Sequence, residues 1–236
     1  MTVGLRNTII GGLAGDALTD ADDNIAIGQG ALSADTLGSK SVAVGRAALA
    51  TQNFTTAADT YNTAVGFQAG TAVTTGIRNT LIGAESGDAI TAGGNNVAVG
   101  SGSLTTNTLS SHNVAIGNGA MFSHNITTAT DAYNIAIGSS AGAAVTTGIF
   151  NTITGGLAAD ALTTGERNTV YGKSALTSDT LGSRAVAVGL SALASQNFTT
   201  ATDNYNVAVG YSAGGLITTG TANTIIGGLA GDALTS

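Results

Sequence analysis

The sequence predicts an all-β fold, a parallel β-solenoid or β-roll of thirteen coils, from three observations. A five-residue phrase ending in Gly recurs thirteen times, its spacing is fixed, and its residues alternate as those of a strand do. A fixed period below 25 residues is the signature of a solenoid rather than of a globular domain.

The copies are NTIIG at 7, NIAIG at 24, SVAVG at 41, NTAVG at 62, NTLIG at 79, NVAVG at 96 and NVAIG at 113. They continue as NIAIG at 134, NTITG at 151, NTVYG at 168, AVAVG at 185, NVAVG at 206 and NTIIG at 223. The closing Gly stands in all thirteen and the opening Asn in eleven, with Ser41 and Ala185 the departures. Spacings run 17, 17, 21, 17 and repeat, so four coils form a 72-residue super-repeat. The boundaries are 7–78, 79–150, 151–222 and a partial 223–236, one repeat domain over 1–236. The identical stretches Asn7–Thr19 and Asn223–Thr235 are this register returning after three super-repeats.

Within the phrase, positions 2 and 4 are Val, Ile or Thr in every copy, Tyr171 excepted. Alternation of period two with β-branched residues is a short strand. Position 8 is always Ala or Ser, and position 13 of every 17-residue coil is Thr. Most coils then close on Gly or Ser, as at Thr74–Gly76, where Gly supplies the positive φ of a corner. Two short strands per coil are expected. Each coil supplies one bulky side chain from its second segment, at position 9 (Leu32, Leu49) or, where position 9 is Gly, at position 12 (Leu18, Val73). Close packing in a narrow core enforces that exchange. At about 4.8 Å per coil, thirteen coils give a rod of about 60 Å.

Composition narrows the function. There are 35 Gly, no Pro, Cys or Trp, and 9% charged residues, with a formal net charge of -7. Few charges argue against disorder, and high Gly without Pro against collagen. No basic cluster offers a nucleic-acid footprint. No apolar run is long enough for a transmembrane helix, so no membrane insertion is expected of this segment. Met1 is not followed by a secretory leader pattern. Without Cys there are neither disulfides nor thiolate metal sites.

The phrase N-x-A-[IV]-G-x-x-A, clearest at Asn24–Ala31, Asn62–Ala69, Asn113–Ala120 and Asn206–Ala213, resembles the head repeats of YadA-like trimeric adhesins. It is also similar to repeats of bacteriophage tail-fibre proteins. The resemblance implies a left-handed parallel β-roll, three chains around a common axis, and a role in attachment. The chain departs from the shorter, uniform coil of adhesin heads, and carries no neck, stalk or anchor. A homotrimer is expected on physical grounds too: mean hydropathy is +0.29 and few charges coat the outside, so apolar surface should be buried between chains. No polar cap is evident at either end, which makes end-to-end self-association an expectation.

The 21-residue coils carry the candidate ligand-contact loops, because bulges on a rigid scaffold are where binding tends to reside. The loops read ATQNFTTAADTY at 50–61, FSHNITTATDAY at 122–133 and ASQNFTTATDNY at 194–205. The candidate residues are Asn53, Phe54, Asp59 and Tyr61; Asn125, Ile126, Asp131 and Tyr133; and Asn197, Phe198, Asp203 and Tyr205. Tyr beside an acid could stack on and hydrogen-bond a sugar. The loops recur roughly every 19 Å, which suits multivalent weak binding. The alternative is that Phe54 and Tyr61 tuck against the roll or a neighbouring subunit. Each loop also holds an N-x-T acceptor, relevant only in a secretory host.

Other motifs weigh less. GGLAGDALT is similar to a calcium nonapeptide, but Ala14 stands where Gly is required and Asp16 returns only as Asp88, Asp160 and Asp232; a structural corner is expected. The Thr column suggests ice binding, against an ordinary turn role. The Asn column suggests an amide ladder between coils. Asp20, Asp22 and Asp23 read as a solvated turn, with opportunistic cation binding the alternative. Only His112 and His124 exist and no acid–base pair converges, so no enzyme, catalytic residue, metal site or cofactor is expected.

The sequence therefore predicts a non-enzymatic, extracellular adhesin or fibre segment on a bacterial surface or virion, binding a surface receptor or glycan. A purely structural filament or spacer is the second reading and ice binding the third.

Overall fold

The structure, a computed structural model, describes residues 4–236. The opening TVGLRN matches the coil end TTGIRN at 74–79, and its Thr2 and Val3 lie outside the described residues. Among the described residues the chain is all-β, without a helix, and its parallel strands stack as a solenoid of about thirteen turns, one strand per phrase. It divides into two compact units, Met1–Asn113 with Asn125–Asp131, and Val114–His124 with Ala132–Ser236.

In the first unit the strands Thr8–Ile10, Ile25–Ile27, Val42–Val44, Thr63–Val65, Thr80–Ile82 and Val97–Val99 pair in that order, parallel and in register. In the second, Val114–Ile116, Ile135–Ile137, Thr152–Thr154, Thr169–Tyr171, Val186–Val188, Val207–Val209 and Thr224–Ile226 do the same. The expected second strand is not general. Among the described residues, two-residue ladders exist only beside the 21-residue coils: Gly38–Ser39 with Ala58–Asp59, Ser110–Ser111 with Thr130–Asp131, and Gly182–Ser183 with Thr202–Asp203.

Left-handed residues explain both the short strands and the missing second one. In the coil opening at Asn24, φ is positive at Gly28, Gly30, Leu32 and Lys40. These are positions 5, 7, 9 and 17, and the same positions recur coil after coil, including Gln68, Glu85, Leu104, Tyr133 and Arg167. The last position of a coil, 17 or in the longer coils 21 (Tyr61, Tyr133, Tyr205), comes before the next strand and position 5 follows it, so only a three-residue strand forms between them. Positions 7 and 9 then bend the second segment into turns. The last position of the coil and positions 7 and 9 have φ near +50 to +60, the αL well that an L residue enters at a cost of about 1 kcal/mol. Position 5 differs. Gly66 has φ +142, and a Cβ there would strike the Gly83 carbonyl of the next coil. Only glycine fits, which is why that column alone never varies.

The strand alternation points opposite to its hydrophobicity. Position 3, mostly Ala, faces inward: Ala26, Ala43, Ala64 and Ala98 are fully buried. Positions 2 and 4, the β-branched residues, face outward, with Ile25, Val65, Ile82 and Ile137 counted among the exposed large hydrophobics. The interior is instead filled from the second segment, as the exchange at positions 9 and 12 predicts. Leu18, Leu32, Leu49, Val73 and Ile90 are buried, as is the position-8 Ala of coil after coil. Steric detail gives the reason. A Cβ at Gly70 would lie 2.5 Å from Leu81 Cδ1 and 3.1 Å from Leu49 Cδ2. Leu81, Ile153 and Ile225 at position 3 accordingly each follow a coil with Gly at position 9 (Gly70, Gly142, Gly214), while the smaller Val170 follows Ala159.

Where position 9 is Leu or Met, position 12 turns polar and stays buried: Asp35, Gln52, Asn107, His124, Asp179 and Gln196. Two of these sets compensate for the missing phrase asparagines. Asn24 shows the ordinary arrangement: its Oδ1 accepts the N–H of Ser41 at 2.8 Å and its Nδ2 donates to Gly38 O at 2.9 Å. Ser41 cannot reach so far. Gln52 Nε2 instead donates to Ser41 Oγ at 2.8 Å and to Asp35 Oδ2 at 2.6 Å, and Gln52 Oε1 accepts Asn62 Nδ2 at 2.8 Å. At Ala185 the substitutes are Gln196, which accepts Asn206 Nδ2 at 2.8 Å, and Asn204, which accepts the Asn206 N–H at 2.9 Å. Asn113 is present, and its coil carries His124 and Ala132 at the corresponding positions.

Two outcomes test this account. Gly66→Ala should lower the urea midpoint by an amount equivalent to about 2–4 kcal/mol, since strained φ and carbonyl overlap combine. Gln68→Gly, in the αL well two residues on, should be neutral or stabilising by up to about 1 kcal/mol. Burial holds the His124 pKa down to about 4, from 6.5, against a hydrogen bond with the Thr146 backbone that raises it. The unfolded chain therefore takes up a proton that the folded chain refuses. The stability carried by neutral His124 is complete above pH 6.5 and falls, by about 3 kcal/mol in all, as pH drops toward 4. Urea titrations from pH 7 to 4 should show this increment vanish in His124→Gln, which installs the residue found at Gln52 and Gln196.

Candidate functional site

The three loops of the 21-residue coils are anchored at one end and exposed at the other. At the anchored end, Thr36, Thr108 and Thr180 of the preceding coils donate their hydroxyls to Asn53, Asn125 and Asn197 Oδ1 at 3.1, 2.8 and 3.0 Å. The next residue packs inward: Phe198 is buried, and Phe54 and Ile126 are half-buried. Two loops are also pinned by a buried carboxylate. Asp35 Oδ1 accepts the N–H of Phe54 at 3.0 Å, and Asp179 Oδ1 that of Phe198 at 3.1 Å. Both acids also accept a Gln amide, and their Oδ1 a Gly N–H, so the buried carboxylates have hydrogen-bond donors in place of water. This half of each loop is built as structure.

The far half is solvent-facing. Residues 55–57, 127–129 and 199–201 are exposed, and each loop then runs through a short parallel ladder into a left-handed Tyr at the corner. In the first loop Lys40 Nζ lies 2.6 Å from Asp59 Oδ2 and 5.4 Å from the Tyr61 ring centroid. Tyr61 Oη donates to Asp59 Oδ2 at 3.1 Å. In the third loop Arg184 pairs with Asp203 and lies 5.7 Å from the Tyr205 ring. In the middle, His112 Nδ1 meets Asp131 Oδ1 at 3.0 Å within the first unit. Within the second unit, Tyr133 stacks on Phe150, with ring centroids 6.1 Å apart, and Arg167 lies 5.4 Å from Phe150. All three tyrosines stay about half exposed, at 49%, 51% and 56%.

Sequence reasoning grouped Asp59 with Tyr61 and Asp203 with Tyr205, and the structure brings each pair together. The Asn and Phe positions belong to the anchored end, apart from these corners. Missed altogether were the bases Lys40, His112 and Arg184. Their signal was available, because they recur at 72-residue intervals in step with the aspartates and tyrosines. The hydrogen bond from Lys40 holds the Asp59 carboxyl below its usual range, and the same bond holds the Lys40 ammonium above its own. The Lys40–Asp59 and Arg184–Asp203 corners are thus each a neutral ion pair flanked by an exposed phenol.

Other polar columns have their hydrogen bonds committed to the coil stack. Thr19, Thr74, Thr91, Thr163 and Thr218 donate their hydroxyls to the carbonyl of the Thr one coil on, which is turn chemistry. Asp22 accepts the Leu5 N–H at 2.6 Å and Asp23 pairs with Arg6 at 2.6 Å; the bond from Arg6 lowers the Asp23 pKa. In the calcium-like motif, a Cβ at Gly11 would lie 2.8 Å from the Gly28 carbonyl and one at Gly15 2.9 Å from Leu18 Cδ1. Gly11 and Gly15 thus have steric grounds independent of any ion, whereas a Cβ at Gly12 would meet nothing within 4 Å. Among the described residues no three His, Asp or Glu side chains gather in a metal-holding group, and no helix is long and apolar enough to cross a membrane. The chain matches no protein-family model, no curated protein and no solved structure.

Proposed function

We propose that the chain is a non-enzymatic fibrous attachment segment, a β-roll that assembles as a homotrimer outside the cell or on a virion and binds a surface ligand through its loop corners. The observation that carries this reading is the return of a base, an aspartate and an exposed tyrosine at every 72-residue step. Stability alone does not require a half-exposed phenol on a protruding corner. Exposed tyrosines with adjacent hydrogen-bonding groups are the means by which surfaces grip sugars and peptides.

The trimer is supported by the outward face of the strands. Val, Ile and Thr rows in register form, within each unit, a regular apolar strip. Strips of that kind are buried against other chains in stable proteins, and cyclic symmetry closes the assembly. The second reading, a spacer without a ligand, draws on the number of polar groups consumed in coil-to-coil bonding.

The decisive comparison is the triple variant Tyr61→Ala, Tyr133→Ala, Tyr205→Ala against the parent chain, on glycan arrays and on cells. Retention falling about 100-fold or more, with the mass by light scattering unchanged, is expected for a multivalent attachment surface. Unchanged retention, or no retention by the parent chain, would favour the spacer. Ile135→Asp with Ile137→Asp should break the trimer into monomers by sedimentation.

A further inference from the structure

The middle super-repeat also differs from its neighbours at the surface around Phe122, the residue that opens its candidate loop. In the second unit an open bay of about 340 Å³ is lined by Gly119, Ala143, Ala144, Phe122 and Asp160. Ser123 and Ser140 complete its lining. Phe122 and Asp160 occupy the same coil position two coils apart, which sets their backbones about 10 Å from one another.

Internal comparison isolates what is special here. The positions 72 residues either side of Phe122 hold Ala50 and Ala194, and those of Ala143 hold Thr71 and Gly215. Asp88 and Asp232 match Asp160. Only this repeat sets an aromatic wall beside an alanine floor and an acid. Folding does not require the ring, because the other two repeats build the same coil with Ala and because Phe122 remains 47% exposed.

We propose that this bay binds one neutral pyranose residue of a glycan. The apolar C–H face of a sugar stacks on the Phe122 ring, while its hydroxyls donate to Asp160 and exchange hydrogen bonds with Ser123 and Ser140. Asp160 is held for this role: its Oδ1 accepts the Thr177 hydroxyl at 2.5 Å. Its other oxygen has no hydrogen-bond partner among the described residues. Charge sets the specificity. The lining holds one carboxylate and no base, so sialylated and sulfated sugars meet repulsion while neutral hexoses do not. The volume is at the small end of ligand sites and suits a single ring. The site does not depend on the corner tyrosines or on the attachment reading.

Saturation-transfer NMR with the methyl β-glycosides of glucose, galactose, mannose and N-acetylglucosamine tests it, with sialic acid as the charged control. At least one neutral glycoside should bind, at about millimolar affinity, and sialic acid should not. Phe122→Ala, which installs the residue of the sister repeats, should weaken binding about tenfold with the fold intact. Asp160→Asn should weaken it as well, and the corner tyrosine triple variant should leave it unchanged. The proposal is overturned if no neutral glycoside binds the parent chain, or if Phe122→Ala binds undiminished. It is equally overturned if Phe122→Ala alters only the mass of the assembly, which would make the bay a contact between copies. Loss of cell attachment in the tyrosine variant with glycoside binding retained would separate this site from the corners.

Discussion

The buried asparagine that opens each coil is the interaction on which the rest depends. Its carbonyl oxygen accepts the backbone N–H one coil ahead, as Asn62 does from Asn79 at 2.9 Å, and its amide closes its own coil by donating to Gly76 O at 2.7 Å. One side chain thus sets both the pitch between coils and the closure of each. It also satisfies backbone groups at a corner that excludes water, where an unpaired polar group costs about 1–3 kcal/mol. Where the amide is missing, at Ser41 and Ala185, a glutamine and a second polar residue from the longer coil take over its bonds. The insertion is therefore part of the repair as well as a decoration.

This fixed pitch explains the outward turn of the β-branched residues. Coils held this close, with glycine carbonyls crowding the next coil, leave a core narrow enough that the strand contributes mainly alanine. The bulky interior residues come from the turn segment, in left-handed conformations that place Leu32 or Leu49 inside. Val and Ile at strand positions 2 and 4 are thereby released to the surface. The chain's apolar composition and its scarcity of charge then become properties of an exterior suited to self-association, rather than of a large core.

The surface divides by what its polar groups are already doing. Threonine hydroxyls and asparagine amides are committed along the stack, and the anchored halves of the first and third loops are held by buried carboxylates. The half-exposed corner tyrosines and the bay around Phe122 lie outside these commitments to the stack. Function is accordingly assigned to places where a side chain is exposed beyond what the coil requires.

The sequence by itself determined the coil number, the parallel register, the 72-residue super-repeat and the exchange between positions 9 and 12, because each is periodic and a period survives in one dimension. It also pointed to the 21-residue coils and paired Asp59 with Tyr61. It did not show which face of the strand is interior, since alternation of Val with Ala reads the same from either side. That was decided by the glycine carbonyls and the left-handed turns, which exist only once coils stack. The second strand failed for the same reason: turn residues at positive φ carry no distinctive side chain, as Gln68, Leu104 and Arg167 attest. Lys40 and Arg184 stand many residues before the acids they meet, and only the closing of a coil brings them together. The bay joins Phe122, the first residue of a candidate loop, to Asp160 of the calcium-like motif, and that difference between near-identical repeats acquires meaning when the two are set two coils apart.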